Sequence, residues 1–258
     1  MITITNEFAS YGRNFGNKLF TYAVARIIAE KLNYKLLLPE NSKIQREGIV
    51  MDFPYQSIDG TIVDGDQLYV SDHSMNETGL DYVIEHGKNK KIFLDGYFLK
   101  YQYIKNFKKE VRGYFIDLVE KNDEKNDVII LLRDSNCDST FKLPDNYYLD
   151  ILSNLTFDNL YISYDHKHKH QSLFKSLEMY DPILLDMNII DLFKFITKKN
   201  TIIGCQGTYS FWACFLSNAK TIYWPITKIG PNSPQWAVDL YVDDDERYNY
   251  IKINQNEN

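Results

Sequence analysis

Cysteine is scarce: Cys137, Cys205 and Cys214 are the three in 258 residues. So small and odd a number excludes a disulfide framework, and none stands in the C-x-x-C pair typical of structural zinc. No stretch approaches the roughly 18 apolar residues needed to cross a bilayer. Residues 1–10 lack a basic stretch followed by an apolar core, so no signal peptide is expected and the expected location is cytoplasmic. Positive charge is not in excess. Lys and Arg total 29 against 35 Asp and Glu, a net charge of -6, which argues against nucleic acid or an anionic membrane as partner. An internal repeat, a low-complexity tract and a G-x-G-x-x-G fingerprint are all missing as well.

What remains is ordinary globular composition, 44% hydrophobic and 25% charged. The 20 Tyr and 15 Phe read as core and interface residues before they read as sugar-stacking surfaces. Strand and helix patterns alternate along the chain, the mark of an α/β fold with parallel sheets. Ile2 to Thr5 is a short strand, and the polar loop Asn6 to Asn17 leads to a helical run ending near Leu32-Asn33. Lys35 to Leu38 is the next strand. From Glu40 to Asn89 only loops with short strands such as Gln67 to Val70 are expected. Lys91 to Leu94 is a strand, and Ile104, Phe107, Val111, Phe115 and Leu118 predict one long amphipathic helix. The charged run Glu120 to Asp127 marks a linker. Beyond it the spacing predicts strands at Val128 to Leu132, Leu160 to Ser163, Ile183 to Leu185, Thr201 to Ile203 and Thr221 to Trp224. Helices are expected at Asp145 to Ser153, His170 to Leu177, Asn188 to Thr197 and Thr208 to Leu216. The expected domains are 1–125, 126–240 and a tail, 241–258.

Three polar segments follow strands and could carry chemistry. Gly12-Arg13-Asn14-Phe15-Gly16-Asn17 lets the backbone turn sharply before a helix whose N-terminus favours an anion; by itself such a loop is more often a plain βα turn. Arg133 follows the strand Val128 to Leu132. In an open parallel sheet ligands sit beyond the carboxyl ends of strands, and a guanidinium there suits a diphosphate; the alternative is a local pair with Asp134. Gly204 to Trp212 repeats the pattern, with Thr208 or Ser210 as helix cap or phosphate contact. Trp212, Phe211 and Phe215 read as core. Asp243-Asp244-Asp245 mimics a metal-binding D-x-D but lies too close to the end of the sequence for that role, and His166, His168 and His170 read as a solvated loop.

In order and spacing these segments resemble the α-1,2-fucosyltransferase family. GRNFGNKLFTYAVARIIAEKLNYKL is similar to its opening glycine loop and helix, IFLDGYFLKYQYIKNFKKEVRGYF to its D-G-Y strand and helix. NIIDLFKFITKKNTIIGCQGTYSFWACFL resembles its closing S-T-F-S-W-W-A motif, and Pro225 and Trp236 fit too. The resemblance implies a GT-B-like fold of two Rossmann-like domains with parallel sheets facing a cleft, and inverting transfer of fucose from GDP-fucose to a sugar hydroxyl without a metal. A nucleotide-sugar donor and a glycan acceptor are the implied partners.

Matched residue by residue, the resemblance assigns Gly12, Arg13, Gly16 and Asn17 to the donor loop. Arg133 takes the place of the diphosphate-binding arginine, and Thr208, Tyr209, Ser210 and Phe211 lie around the phosphates. Asp165 would receive the guanine N–H donors, and Asp95 and Tyr97 match D-G-Y. Glu7 and Asp95 are the candidate general bases. The match fails at four positions: Leu131 replaces the histidine of H-x-R-R-x-D, the second arginine is missing, Lys18 stands for glutamine and Gly207 for serine. Another nucleotide sugar, or a module that binds donor without turnover, therefore stands beside the fucosyltransferase reading.

Overall fold

A computed structural model describes residues 1–4, 15–39, 55–58, 66–122, 125–133, 142–164, 170–226 and 238–253. The chain divides into two compact units, Met1–Ile116 with Ala237–Asp239 and Asp117–Trp236 with Leu240–Asn258. The break falls a few residues before the expected linker.

In the first unit β1 (Ile2–Ile4), β2 (Leu36–Pro39), β3 (Tyr55–Ile58), β4 (Gln67–Ser71) and β5 (Lys91–Asp95) form one sheet in the order β3-β2-β1-β5-β4. All its pairings are parallel, with Ile2 opposite both Leu36 and Ile92. Ile2, Ile4, Ile92 and Leu94 are fully buried, as central parallel strands require. Helix α1 (Phe15–Leu32) packs on β1 and β2 with 14 of its 18 residues buried. Burial on nearly every side, Lys18, Thr21 and Arg26 included, is how a central helix reads. Arg26 and Glu30 are tied on it by an N–O contact of 3.1 Å, and the Tyr114 hydroxyl donates to Glu30 at 2.6 Å.

Two expectations change here. A helix α2 (Asp72–His86) occupies part of the segment expected to hold only loops and strands. Ser71 and Ser74 cap it reciprocally, while Gly79 at φ +79° interrupts it, and only Met75, Leu80 and Val83 are buried. So few apolar positions around a glycine leave no periodicity to read. The long helix expected across 104–118 is instead a series of short turns around α3 (Lys108–Tyr114). Ile104, Val111, Phe115 and Leu118 are nonetheless buried. Spacings of three and four fit 3₁₀ and α turns alike, so the apolar face was legible and its continuity was not.

In the second unit β6 (Val128–Leu131), β7 (Leu160–Ser163), β8 (Ile183–Leu185), β9 (Thr201–Ile203), β10 (Thr221–Ile226) and β11 (Tyr248–Lys252) are ordered β11-β10-β9-β6-β7-β8. Every pairing is again parallel. That is the strand order of a doubly wound Rossmann sheet. Helices α4 (Asp145–Leu152), α5 (Gln171–Leu177), α6 (Ile189–Thr197) and α7 (Thr208–Leu216) alternate with the strands, and the Asn188 side chain caps α6 by accepting from Ile190 and Asp191 N–H.

The C-terminal residues are not simply a tail, since β11 extends the sheet beside β10 from Ile222↔Tyr248 to Ile226↔Lys252. The charged linker is also only partly a solvated run. Asp127 is buried and bonded to Lys199 Nζ at 3.0 Å, because a paired carboxylate can enter a core that an unpaired one cannot.

Candidate functional site

In the second unit the order of strands reverses between β6 and β9. From β6 the chain steps to β7 and β8, then returns to β9 on the opposite side of β6. The carboxyl ends of these two strands flank the crevice where open α/β sheets bind ligands. Strand β6 is buried along its whole length and delivers Leu132 and Arg133 to that edge. Strand β9 delivers Gly204, Cys205, Gln206 and Gly207 to the same edge, and α7 begins at Thr208.

The two segments meet. Arg133 Nη1 donates to the Gln206 carbonyl at 2.9 Å. Gly207, the N-cap of α7, lies at φ +146° and ψ 157°, a conformation open essentially to glycine alone. A Cβ on Gly207 would stand 2.4 Å from Arg133 Nη1, 3.1 Å from Cζ and 3.2 Å from Cδ. The guanidinium thus rests on the bare backbone of the helix cap. Among the described residues no carboxylate pairs with Arg133; Asp134, its alternative partner, lies outside them. A helix start carries the positive end of the peptide dipoles, so the cation and the dipole add at one place.

Buried hydrogen bonds hold this loop from beneath. The Cys205 N–H donates to Ser210 Oγ at 3.1 Å, and the Phe211 N–H to the Gly207 carbonyl at 2.9 Å. The Tyr147 hydroxyl lies 3.0 Å from the Gly204 carbonyl and 3.2 Å from that of Tyr223. Burial pushes the Tyr147 phenol well above its usual range, so it is a neutral donor at any physiological pH. At the other end of α7, Arg247 donates to the carbonyls of Ser217 at 2.6 Å and Phe215 at 3.5 Å, and is itself held by Asp245. A cation there satisfies the terminal carbonyls and complements the dipole.

Arg133 and Thr208 flank the Gln206-Gly207 turn, Thr208 partly exposed. Tyr209 is partly exposed, with its hydroxyl donating to the Ile189 carbonyl at 3.0 Å and its ring edge-on to Phe193. Ser210 faces inward to Cys205, and Phe211 is fully buried, stacked on Phe215, so their side chains brace the loop from inside. Glu7, Gly12, Arg13 and Asp165 lie outside the described residues.

Gly16 and Asn17, in contrast to the expected loop, belong to the first turn of α1, with Gly16 buried. Asp95 is exposed at the end of β5, beside β1, where the strand order of the first unit reverses. The turn after it is clamped by Asp72, whose carboxylate accepts from Tyr97 N–H at 2.9 Å and Phe98 N–H at 2.7 Å. A Cβ on Gly96 would come within 2.9 Å of the Asp72 backbone nitrogen, and the Gly96 carbonyl accepts from Thr21 Oγ1 at 3.2 Å. The D-G-Y segment thereby acquires a structural reason of its own, and Asp72, which holds it, gave no sequence signal beyond following a capping serine.

Asp245 accepts from Arg247 on both carboxylate oxygens, His170 is buried, and His166 and His168 lie outside the described residues. Among the described residues no three His, Cys, Asp or Glu are grouped to hold a metal, and no helix is long and apolar enough to cross a membrane.

No protein-family model matches the sequence, and no curated protein matches it. Solved structures do match. E. coli heptosyltransferase WaaC with ADP superposes with a TM-score of 0.55 at 7% identity, over 97% of this chain and 92% of that one. E. coli ADP-heptose lps heptosyltransferase II gives 0.53 at 10% identity, over 99% and 91%. A mutant of Arabidopsis thaliana FUT1 in complex with GDP gives 0.50 at 12% identity, over 92% and 71%. At such identities the likeness is one of fold: this chain has the two Rossmann-like units of the GT-B glycosyltransferases.

Proposed function

We propose that this protein is an inverting glycosyltransferase that takes a sugar from a nucleoside diphosphate donor, with fucose from GDP-fucose, passed in α-1,2 linkage to a sugar hydroxyl, as the first specific reading. The observation that carries it is the Arg133 guanidinium bonded to Gln206 at the start of α7, beside the point where the strand order reverses. Two positive elements there suit a diphosphate.

In the proposed reaction the acceptor hydroxyl oxygen attacks the anomeric carbon. The bond from that carbon to the diphosphate oxygen breaks, and its electron pair leaves with the nucleotide. Arg133 and the α7 dipole neutralise the charge that develops, a task a divalent metal performs in other enzymes, so no metal is required in this scheme. The hydroxyl proton passes to a general base.

The fold likeness to ADP-heptose heptosyltransferases supports a second donor, an ADP-activated sugar at the same site. Calorimetric titration with GDP, ADP and UDP, with and without EDTA, separates the readings. Binding of GDP that ignores EDTA and weakens about 10- to 100-fold in Arg133→Ala is the expected result, the loss of one or two charge-assisted bonds. Preference for ADP transfers the reading to the heptose-type donor. Binding without turnover of GDP-fucose against a glycan acceptor panel leaves a donor-binding module. If wild type and Arg133→Ala bind equally, the site is elsewhere.

A further inference from the structure

We infer that Gly207 is a positioning residue for Arg133: its missing side chain is the seat of the guanidinium, and it fixes where that cation meets a diphosphate. The inference rests on the donor reading above and adds a residue to it. A helix cap needs no glycine, and Ser, Thr, Asp or Asn serve better on average. Gly207 instead adopts φ +146°, and the space a Cβ would fill is taken by Arg133 Nη1 at 2.4 Å, with Cζ and Cδ close behind. The closest contact is with the tip of the side chain, and that tip is held rather than free. It runs along the arginine from Cδ to Nη1, and Nη1 is tied to the carbonyl of the neighbouring residue, Gln206.

Nor can the backbone give way easily. The Gly207 carbonyl accepts the Phe211 N–H at 2.9 Å, and Cys205, on the other side of Gln206, is bonded through its N–H to Ser210 Oγ. A side chain at position 207 must therefore displace the guanidinium. Glycine, the Gln206 carbonyl and arginine act as one device: the glycine opens the seat, the carbonyl orients the fork, and the remaining N–H groups of Arg133 are left for the ligand.

A double-mutant cycle tests this with GDP and ADP as probes, using whichever binds the wild type, in calorimetry on the full chain. Gly207→Ala should weaken nucleotide binding by about as much as Arg133→Ala does, roughly 10- to 100-fold. Added to Arg133→Ala, it should weaken binding clearly less than it does in the wild type, because the guanidinium it displaces is already gone and only the backbone strain at φ +146° remains. Lysine ends at the position of Cζ and has no atom at Nη1, the closest contact, so Gly207→Ala should cost less affinity in the Arg133→Lys background than in the wild type. If Gly207→Ala by itself fails to fold, its cost is compared between the Arg133→Lys and Arg133→Ala backgrounds, and equal losses there overturn the role. An unchanged affinity in Gly207→Ala, or a loss as large without the arginine as with it, overturns the positioning role while leaving the donor reading standing. A wild type that binds neither nucleotide overturns the donor reading and, with it, the purpose given to the pair.

Discussion

Replacing Lys199 with methionine should cost the second unit more than any surface substitution can. Lys199 and Asp127 side chains are each 2% exposed and meet at 3.0 Å. The ammonium also lies 4.3 Å from the Tyr161 ring centroid and 4.1 Å from that of Phe195. Asp127 accepts one further side-chain bond, from Asn159 Nδ2 at 2.7 Å. Without the lysine a buried carboxylate keeps only that neutral donor, and breaking one side of such a pair costs about 3–5 kcal/mol. Methionine lying against the two rings returns roughly 0.3–1.5 kcal/mol. A net loss of about 2–4 kcal/mol is expected, a drop in Tm of order 5–20 °C for a unit of this size.

The assay is selective, because the three tryptophans, Trp212, Trp224 and Trp236, all belong to the second unit. Urea unfolding followed by tryptophan fluorescence therefore reports that unit alone. Asp127→Asn combined with Lys199→Met removes both charges and should recover most of the loss, to within about 1 kcal/mol of wild type. A single variant that loses less than about 1 kcal/mol, or a double variant no better than the single, would refute the assignment of a stability role to this pair.

Two further outcomes concern the first unit. The Tyr103 hydroxyl donates to Asn76 Oδ1 at 2.5 Å, and burial above all raises its pKa to about 12. The unfolded phenol titrates near 10, so the stability it contributes is complete below about pH 10 and lost as pH rises through 12. Tyr103→Phe should flatten the fall in stability over that window, measured by urea unfolding and far-UV dichroism at stepped pH, and identical profiles would remove Tyr103 from the account. Gly96→Ala should lower the melting transition of the first unit by about 1–3 kcal/mol, since its Cβ meets the Asp72 main chain, which a rotamer change cannot move. An unchanged dichroism melt would mean the turn after β5 is looser than its hydrogen bonds suggest.

The sequence disclosed most where side-chain type and secondary structure coincide. VIIL at 128–131 and TII at 201–203 are apolar and β-branched because both faces of their sheet are covered, and they are the central strands. Which strands adjoin them was not written there; nothing in VIIL distinguishes β7 from β9 as neighbour. Arg133 was legible because a lone guanidinium after a buried strand is unusual. Gln206 was not, because it contributes a main-chain carbonyl that any residue would supply. Gly207 could be read as a glycine out of place but not as the seat of an arginine 74 positions earlier. Asp127 was misleading for the opposite reason: it sits in a charged run, and its burial depends on Lys199, 72 residues away. The C-terminal strand escaped because YNYIK, between Arg247 and Ile253, alternates weakly, and its pairing with β10 comes from the sheet rather than from local preference.

A single arginine can carry the proposed charge neutralisation only if it is already where the charge will appear. A mobile side chain would lose rotamer entropy on meeting the diphosphate, whereas one held by protein contacts has lost it on folding. The second unit supplies that holding from several directions. Seven consecutive residues of α7, Ser210 to Leu216, are buried, so the helix whose start faces the site cannot shift without disturbing the core. Arg247 locks its far end, Tyr147 binds the carbonyl at the root of the loop, and Ser210 binds the amide between. Arg133 is fastened to the same loop at Gln206 and rests on Gly207. Phe211 and Ser210, expected among the phosphate contacts, thus serve the proposed chemistry from underneath: they fix the backbone that fixes the arginine. Their substitution should therefore cost stability and nucleotide affinity together, whereas Arg133→Ala should cost affinity while leaving the tryptophan-detected unfolding transition close to wild type.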